Sequence, residues 1–379
     1  MIEYIDRANS SCYKWDSEEA SGLLPLWVAD MDFKAAPPIL DAMQRRLEHG
    51  VFGYQCASQA YFDALSSWFS RRHQWNAIRR ENSICATSVV AAVSAVLRAL
   101  TKPGDEVLLQ TPAYNCFFSC LEHLECRLAA DPLIEKDDYY TIDWAHFEQQ
   151  VSRAKVFILC NPHNPTGRVW TRDELTRMAR ICEQHGVFVL ADEIHCEITF
   201  PGVTYTPYGT VAEGNRYCVC TSATKAFNIA GLRCANIYVP DQDLYRRISY
   251  AVEVHEVGEL NPFGMEATIA AYNESEQWLD EVQQLIYGNY RFLCDTIRER
   301  MPMLSVTRSE GTYLAWVNIS ALGIPAEEVC RGLVAKQKVL FNPSEMYGGS
   351  GHIRINMATS RENIAEALLR LEKFVKNDV

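Results

Sequence analysis

Lys225 ends the stretch Thr221-Ser222-Ala223-Thr224-Lys225, directly after the apolar run Tyr217-Cys218-Val219-Cys220. The run reads as a buried strand, and residues 226–233 turn away from it. A primary amine at the mouth of a sheet, bracketed by hydroxyls, suits Schiff-base formation with an aldehyde cofactor. The hydroxyls, together with the guanidinium of Arg233, suit that cofactor's phosphate. An isolated lysine after a strand is more commonly a solvated loop residue, so the choice rests on the groups that accompany it.

Four groups bear on that choice. Asn161-Pro162-His163-Asn164-Pro165-Thr166-Gly167 ends another strand, and its prolines and glycine make a rigid turn. In that turn Asn164 can donate its amide to a phenolate oxygen on a ring, while His163 reads as a loop histidine without a role. Asp192 follows the apolar run Val187-Phe188-Val189-Leu190-Ala191. An acid there is costly to bury without a partner. A protonated pyridine nitrogen is a fitting one, because the charged hydrogen bond keeps the ring an electron acceptor. His195 either reaches the phenolate side of such a ring or is a satisfied structural histidine. Ser88-Val89-Val90 opens a helix after a strand, where backbone N–H groups can meet a phosphate. Tyr114 stands after a further strand, as a stacking ring or as a core residue.

The elements that hold these residues alternate. Strands are predicted at 83–87, 106–110, 155–160, 187–191 and 217–220. Helices are predicted from Ser88 to about Thr101, from Tyr114 to about Leu124 and from Thr171 to about His185. The last has a capping box at Thr171 and Glu174. Continuous apolar strands between amphipathic helices imply an α/β fold with a mostly parallel sheet covered on both faces. Ligands sit beyond the carboxyl ends of such strands, where Ser88, Tyr114, Asn164, Asp192 and Lys225 all fall. Before this region, helices are predicted from Pro37-Pro38 to His49 and around 58–73. After it, a helix over 276–300, strands at 304–307, 312–318 and 352–356, and a helix over 361–376 suggest a smaller α+β unit. The expected division is 50–284 for the large domain, with 1–49 and 285–379 forming the small one.

Composition limits the function. The chain has 379 residues, 48% of them hydrophobic, enough for two or three domains. A net charge of −12 argues against nucleic-acid or membrane-surface binding. The 14 cysteines show no CxxC pairing, so no metal site is expected and free thiols in a reducing compartment are. With no signal-like start and no long apolar run, a soluble cytoplasmic protein is expected.

Taken as a set, Tyr114, Asn164-Pro-Thr-Gly, Asp192, Ser222-x-x-Lys225, Arg233 and Arg354-Ile355-Asn356 resemble the class I/II aminotransferase superfamily of fold type I pyridoxal-phosphate enzymes. The resemblance covers essentially the whole chain and implies a seven-stranded sheet. The stretches Trp27–Phe33, Phe52–Tyr54, Cys160–Trp170, Asp192–His195, Lys225–Gly231 and Glu310–Trp316 are similar to the MalY/PatB-type cystathionine β-lyases within it. Glu197 and Asn318 stand where that branch has aspartates, and Met357–Ser360 replaces its usual tail. The resemblance implies that Lys225 carries the cofactor and moves the Cα proton. Asp192 would pair with the ring nitrogen, Asn164 and His195 would set the phenolate oxygen, and Tyr114 would stack on the ring. The phosphate would be held by Val89, Val90, Ser222 and Arg233, with Tyr54 reaching over from the partner of a homodimer. Arg354 would bind the substrate α-carboxylate, with Ala29 and Asp30 lining the pocket.

The expected function is therefore a carbon–sulfur β-lyase. It would cleave L-cystathionine or related S-substituted cysteines to pyruvate, ammonia and a thiol. An aminotransferase using the same residues is the first alternative. A regulatory protein that uses the fold as a binding surface is the second, and the intact Asp192, Lys225, Arg233 and Arg354 set argues against it.

Overall fold

The computed structural model describes residues 2–377. Its central sheet has seven strands: β1 (Ser83–Ala86), β2 (Glu106–Thr111), β3 (Arg127–Pro132), β4 (Val156–Cys160), β5 (Phe188–Asp192), β6 (Tyr217–Thr221) and β7 (Ala235–Tyr238). The spatial order is β1-β7-β6-β5-β4-β2-β3. Pairing is parallel from β6 through β3, and only β7 runs against its neighbours. β4, β5 and β6 are buried at every residue. Alternation along each strand sends Ile158, Leu190 and Cys218 to one apolar layer and Phe157, Val189 and Val219 to the other. A sheet covered on both faces follows from these uninterrupted apolar runs.

Among the described residues, the longer helices are α1 (Pro37–His49), α2 (Gln59–His73), α3 (Val89–Leu100), α4 (Asn115–His123), α5 (Trp144–Val151), α6 (Arg172–Gln184), α7 (Gln242–Val254), α8 (Pro262–Glu274), α9 (Glu276–Arg300) and α10 (Arg361–Asn377). α3 shows how the site is positioned. Ser88 caps it by accepting from the Ala91 N–H at 3.1 Å, worth about 1 kcal/mol. Seven of its twelve residues are buried, among them Val93, Val96 and Leu97. Each large one stabilises by about 1.5–3 kcal/mol, so packing fixes the helix and the cap fixes only where it starts. The α6 capping box forms between Thr171 and Glu174 as expected.

The edge strand β3 and helices α5, α7 and α8 go beyond the sequence expectation. β3 has the sequence Arg-Leu-Ala-Ala-Asp-Pro with alternate residues exposed, so it lacks the apolar run by which its neighbours are read. A second sheet, β8 (Ser305–Val306), β9 (Leu314–Asn318), β10 (Asn342–Pro343) and β11 (His352–Asn356), is antiparallel in the order β8-β9-β11-β10. Among the described residues no helix is long and apolar enough to cross a membrane.

Between the sheets runs a strap, residues 27–33, fixed by side-chain amides. Asn342 donates to Trp27 O (2.9 Å), and Asn356 to Val28 O and Asp30 O (2.6 and 2.7 Å). Asn228, in the turn after Lys225, accepts from the Met31 N–H and donates to Met31 O and Phe33 O. A segment without regular structure needs such partners for its buried backbone groups.

Candidate active site

A cavity of about 170 Å³ lies beyond the carboxyl ends of β4, β5 and β6. Its wall includes Ala29, Val89, Val90, Tyr114, Asn164, Asp192, His195, Lys225 and Arg233. Nine residues singled out from the sequence thus meet at one place, although 204 positions separate Ala29 from Arg233 (233 − 29). Lys225 Nζ donates to Ala29 O at 2.5 Å, and Tyr313 donates its hydroxyl to the same carbonyl at 3.0 Å. Arg354, on β11, donates from Nη1 to Asn164 Oδ1 (3.1 Å) and from Nη2 to Trp27 O (2.8 Å). Its guanidinium stands 4.8 Å from the Tyr347 ring centre.

The polar groups here are short of partners. Asp192 is 4% exposed, and its carboxylate accepts one hydrogen bond, from the Ile194 N–H at 3.1 Å. Burial pushes its pKa up to about 6, against the pull of that N–H and of Lys225. His195 Nδ1 and Arg354 Nε are buried without a hydrogen-bond partner. Burial, with the Lys225 and Arg354 charges, pushes His195 down to about 3, so its imidazole is neutral. Burial lowers Lys225 as well, and it raises Tyr114, which stays a neutral phenol.

This donor set fits a phosphorylated pyridine aldehyde. The amine is Lys225, the under-paired acid is Asp192, and Val89 and Val90 carry first-turn N–H groups that no helical carbonyl can satisfy. Arg354 occupies Asn164 Oδ1, which leaves the Asn164 amide N–H₂ as the free donor. Arg233 lines the phosphate end from a left-handed backbone position, φ 48°. A non-glycine residue held there stores strain of order 1 kcal/mol or more.

Other candidates lie elsewhere. Ser222 sits behind the cavity wall, donating to Cys234 O and lying 2.6 Å from Thr224 Oγ1, while Thr224 itself faces the cavity. Asp30 adjoins Ala29 but pairs outward with Arg7 at 2.8 Å. Tyr54 does not line the cavity of its own chain and is 98% exposed. His163 is buried against Thr166 (2.8 Å), away from the cavity. Gly167 has φ 72°, and a Cβ there would clash with the Ser309 side chain, so this turn requires glycine. Ser88 also lines the wall, and Thr87, Cys160, Ile194, Thr224, Ala230 and Cys234 do so without having been singled out as site residues. Thr224 was legible as a hydroxyl beside Lys225, but which of two nearby hydroxyls faces the cavity depends on the turn. The Ala29 carbonyl is a backbone group and has no sequence signature.

A profile of the family "Aminotransferase class I and II" matches residues 23–371. Cystathionine β-lyase PatB of Bacillus subtilis is 35% identical over 377 residues, covering 97% of each chain. Among solved structures, a pyridoxal-phosphate-bound putative aminotransferase from Clostridium difficile superposes with a TM-score of 0.95, at 38% identity and 98% coverage of both chains. Cystalysin from Treponema denticola, which contains pyridoxal 5'-phosphate, does so with a TM-score of 0.94, at 32% identity, covering 99% of this chain and 98% of its own.

Proposed function

The chain belongs to the class I and II aminotransferase family, and we propose that within it this protein is a pyridoxal-phosphate-dependent carbon–sulfur β-lyase. The reading is carried by Lys225 and Asp192 on the wall of one cavity, with Arg354 bonded to Asn164 of the same wall. The similarity to PatB along 97% of both chains supports elimination as the outcome. When bound, the cofactor supplies an electron sink for the pair left on the substrate Cα.

The chain's own residues divide the rest of the work. Arg354 holds the substrate α-carboxylate with its fork of N–H donors, and its open Nε is a donor ready for that anion. Asn164, oriented by Arg354, donates to the ring oxygen, and His195 stands by on the same side. Asp192 keeps the ring nitrogen protonated, while Tyr114 covers the ring face. Val89, Val90, Thr224 and Arg233 form the phosphate end, with Ser222 behind it against the Thr224 hydroxyl. Lys225 takes the Cα proton as general base, a thiolate leaves from Cβ, and water completes the conversion to pyruvate and ammonia.

We further infer a homodimer. Leu47, Val51, Phe52 and Tyr54 are all more than half exposed in a single short run. Such a run suits an interface that brings Tyr54 to the partner's phosphate end. Residues 50–284 would form the cofactor-bearing unit and 1–49 with 285–379 the smaller one, tied by α9, which runs unbroken across the limit. All 14 cysteines are free thiols, which supports a reducing, cytoplasmic setting.

The test is pyruvate release from L-cystathionine by the cofactor-loaded protein with no keto acid added. Sustained turnover with matching thiol release is expected. Conversion to the pyridoxamine spectrum, reversed by 2-oxoglutarate and without pyruvate, would make the protein an aminotransferase instead.

A further inference from the structure

Lys225 makes no ion pair among the described residues, yet it is surrounded by charge. Arg354 reaches in from β11, Asp192 from β5, His195 from the turn after β5, Cys116 from α4 and Asp30 from the strap. Asp30 directly follows Ala29, whose carbonyl receives the Lys225 N–H at 2.5 Å, and its charge, like that of Asp192, favours the ammonium form. Asp30 is held from the other side. Arg7 Nη1 lies 2.8 Å from its Oδ2, and Lys14 Nζ lies 3.7 Å from its Oδ1. That Oδ1 is buried and accepts no hydrogen bond.

Both cations are anchored by the next acid along. Lys14 is fully buried and pairs with the fully buried Asp32 at 2.8 Å, and Trp15 Nε1 donates to Asp32 at 3.1 Å. Arg7 bridges the two acids, reaching Asp32 at 3.3 Å and Met31 O at 3.0 Å. Asp32, Arg7 and Lys14 thus fix Asp30 on one side, and Lys225 and Tyr313 feel its charge on the other. The strap backbone cannot drift away, because Asn356 holds Asp30 O and the Ala29 carbonyl receives Lys225.

We propose that Asp30 is a positioning residue for Lys225: it supplies the counter-charge that holds the lysine nitrogen at the Ala29 end of the cavity, and Arg7 sets how much of that charge Lys225 feels. The N-terminal segment then belongs to the working site although none of the described residues before Ala29 lines the cavity. A carboxylate shared between a surface-side arginine and an interior amine divides its field, so weakening one partner strengthens its hold on the other. A structural buttress would behave differently, since loss of either end would only loosen the strap.

The inference rests on reading Lys225 as the amine that carries the cofactor, and two separate observations keep the two claims apart. The visible absorbance band of the loaded protein reports whether the Lys225 nitrogen keeps its proton, and Lys225→Ala must abolish that band if the reading of Lys225 holds. With the band in place, Asp30→Asn is expected to lower its titration midpoint by about one pH unit. Asp30→Glu is expected to restore it. Arg7→Gln is expected to raise it, because Arg7 no longer neutralises Asp30. Arg7 is the more exposed partner and its removal leaves the buried Lys14–Asp32 pair intact, so this variant decides the matter even if Asp30→Asn does not fold. An unchanged midpoint in Arg7→Gln, or shifts of the same sign in both variants, would overturn the proposal.

Discussion

Asp192 and Glu197 are two carboxylates five residues apart, at 4% and 2% exposure, the first ending β5 and the second in the turn that follows. Their surroundings are equally dry and their partners are not. Glu197 accepts from Trp68 Nε1 (2.7 Å) and His73 Nε2 (2.8 Å), and Arg72 Nε lies 3.3 Å away. Burial would raise its pKa, but His73, Trp68 and Arg72 hold it below the usual carboxylate value. Asp192 has one N–H and a pKa raised to about 6. A buried charge is tolerated when it is paired, and Glu197 is paired by the protein itself: two donors meet Oε1, while Oε2 accepts no hydrogen bond and faces the Arg72 charge. Asp192 has no cation within ion-pair distance among the described residues, and in the proposed function the cofactor's ring nitrogen would supply one. The contrast separates a carboxylate that holds the fold from one that holds a ligand.

The largest expected effect follows from Asp192→Asn. Without the acid the ring nitrogen loses its proton, and kcat should fall by about 10²-fold or more. The cofactor-free protein should respond in the opposite sense. Asp192 has a folded pKa above its ordinary 3.8, so the stability it allows is complete below pH 4 and is lost as pH rises through about 6. At pH 7 and above, the unpartnered charge costs about 3 kcal/mol. Denaturant melts of the cofactor-free protein should therefore show stability falling between pH 4 and 7, and Asp192→Asn should flatten that fall. A variant less stable than the parent at pH 8 would contradict the contrast.

Glu197→Gln is the mirror experiment. It leaves Arg72 and His73 facing a neutral amide and should cost roughly 3 kcal/mol. Turnover per loaded site should stay within about twofold, because Glu197 does not line the cavity. Here the folded pKa lies below the ordinary value, so the parent's stability from this group is present above pH 4.5 and is lost as pH falls through the folded pKa. The variant should lack that acid-side loss. A large drop in kcat would place Glu197 in the working site after all.

This contrast also marks how far the sequence can be read. The buried strands β4, β5 and β6 were legible because their apolar runs are unbroken, and Asp192, Asn164 and Lys225 because each stands at the end of such a run or in the turn directly after it. The edge strand β3 was not, since only one of its faces is covered. Glu197 was visible as a departure from a family pattern, but its three donors come from α2, more than 120 positions away. The Arg7–Lys14–Asp32 network under Asp30 was illegible for the same reason. Nothing local distinguishes which of two alternating aspartates, Asp30 or Asp32, goes fully under. The turn after β6 hid whether Ser222 or Thr224 faces the cavity. Chemistry at strand ends is written locally, whereas the pairing that makes an acid structural is decided by distant segments.

The smallest effect tests whether Glu197 is over-determined. His73 supplies one of its donors and also stands edge-to-face with Tyr205, ring centres 4.9 Å apart. Tyr205 donates in turn to Glu193, the neighbour of Asp192, whose pKa burial raises to about 8. His73→Ala removes the imidazole and with it that donor. Loss of one donor from a carboxylate that retains Trp68 and Arg72 should cost about 1–2 kcal/mol, less than loss of the carboxylate itself. Combined with Glu197→Gln, the two costs should fall short of their sum, because each breaks the same pair. Full additivity in the double variant would mean that His73 stabilises the fold through Tyr205 and not through Glu197. The second buried acid would then depend on Trp68 and Arg72 alone.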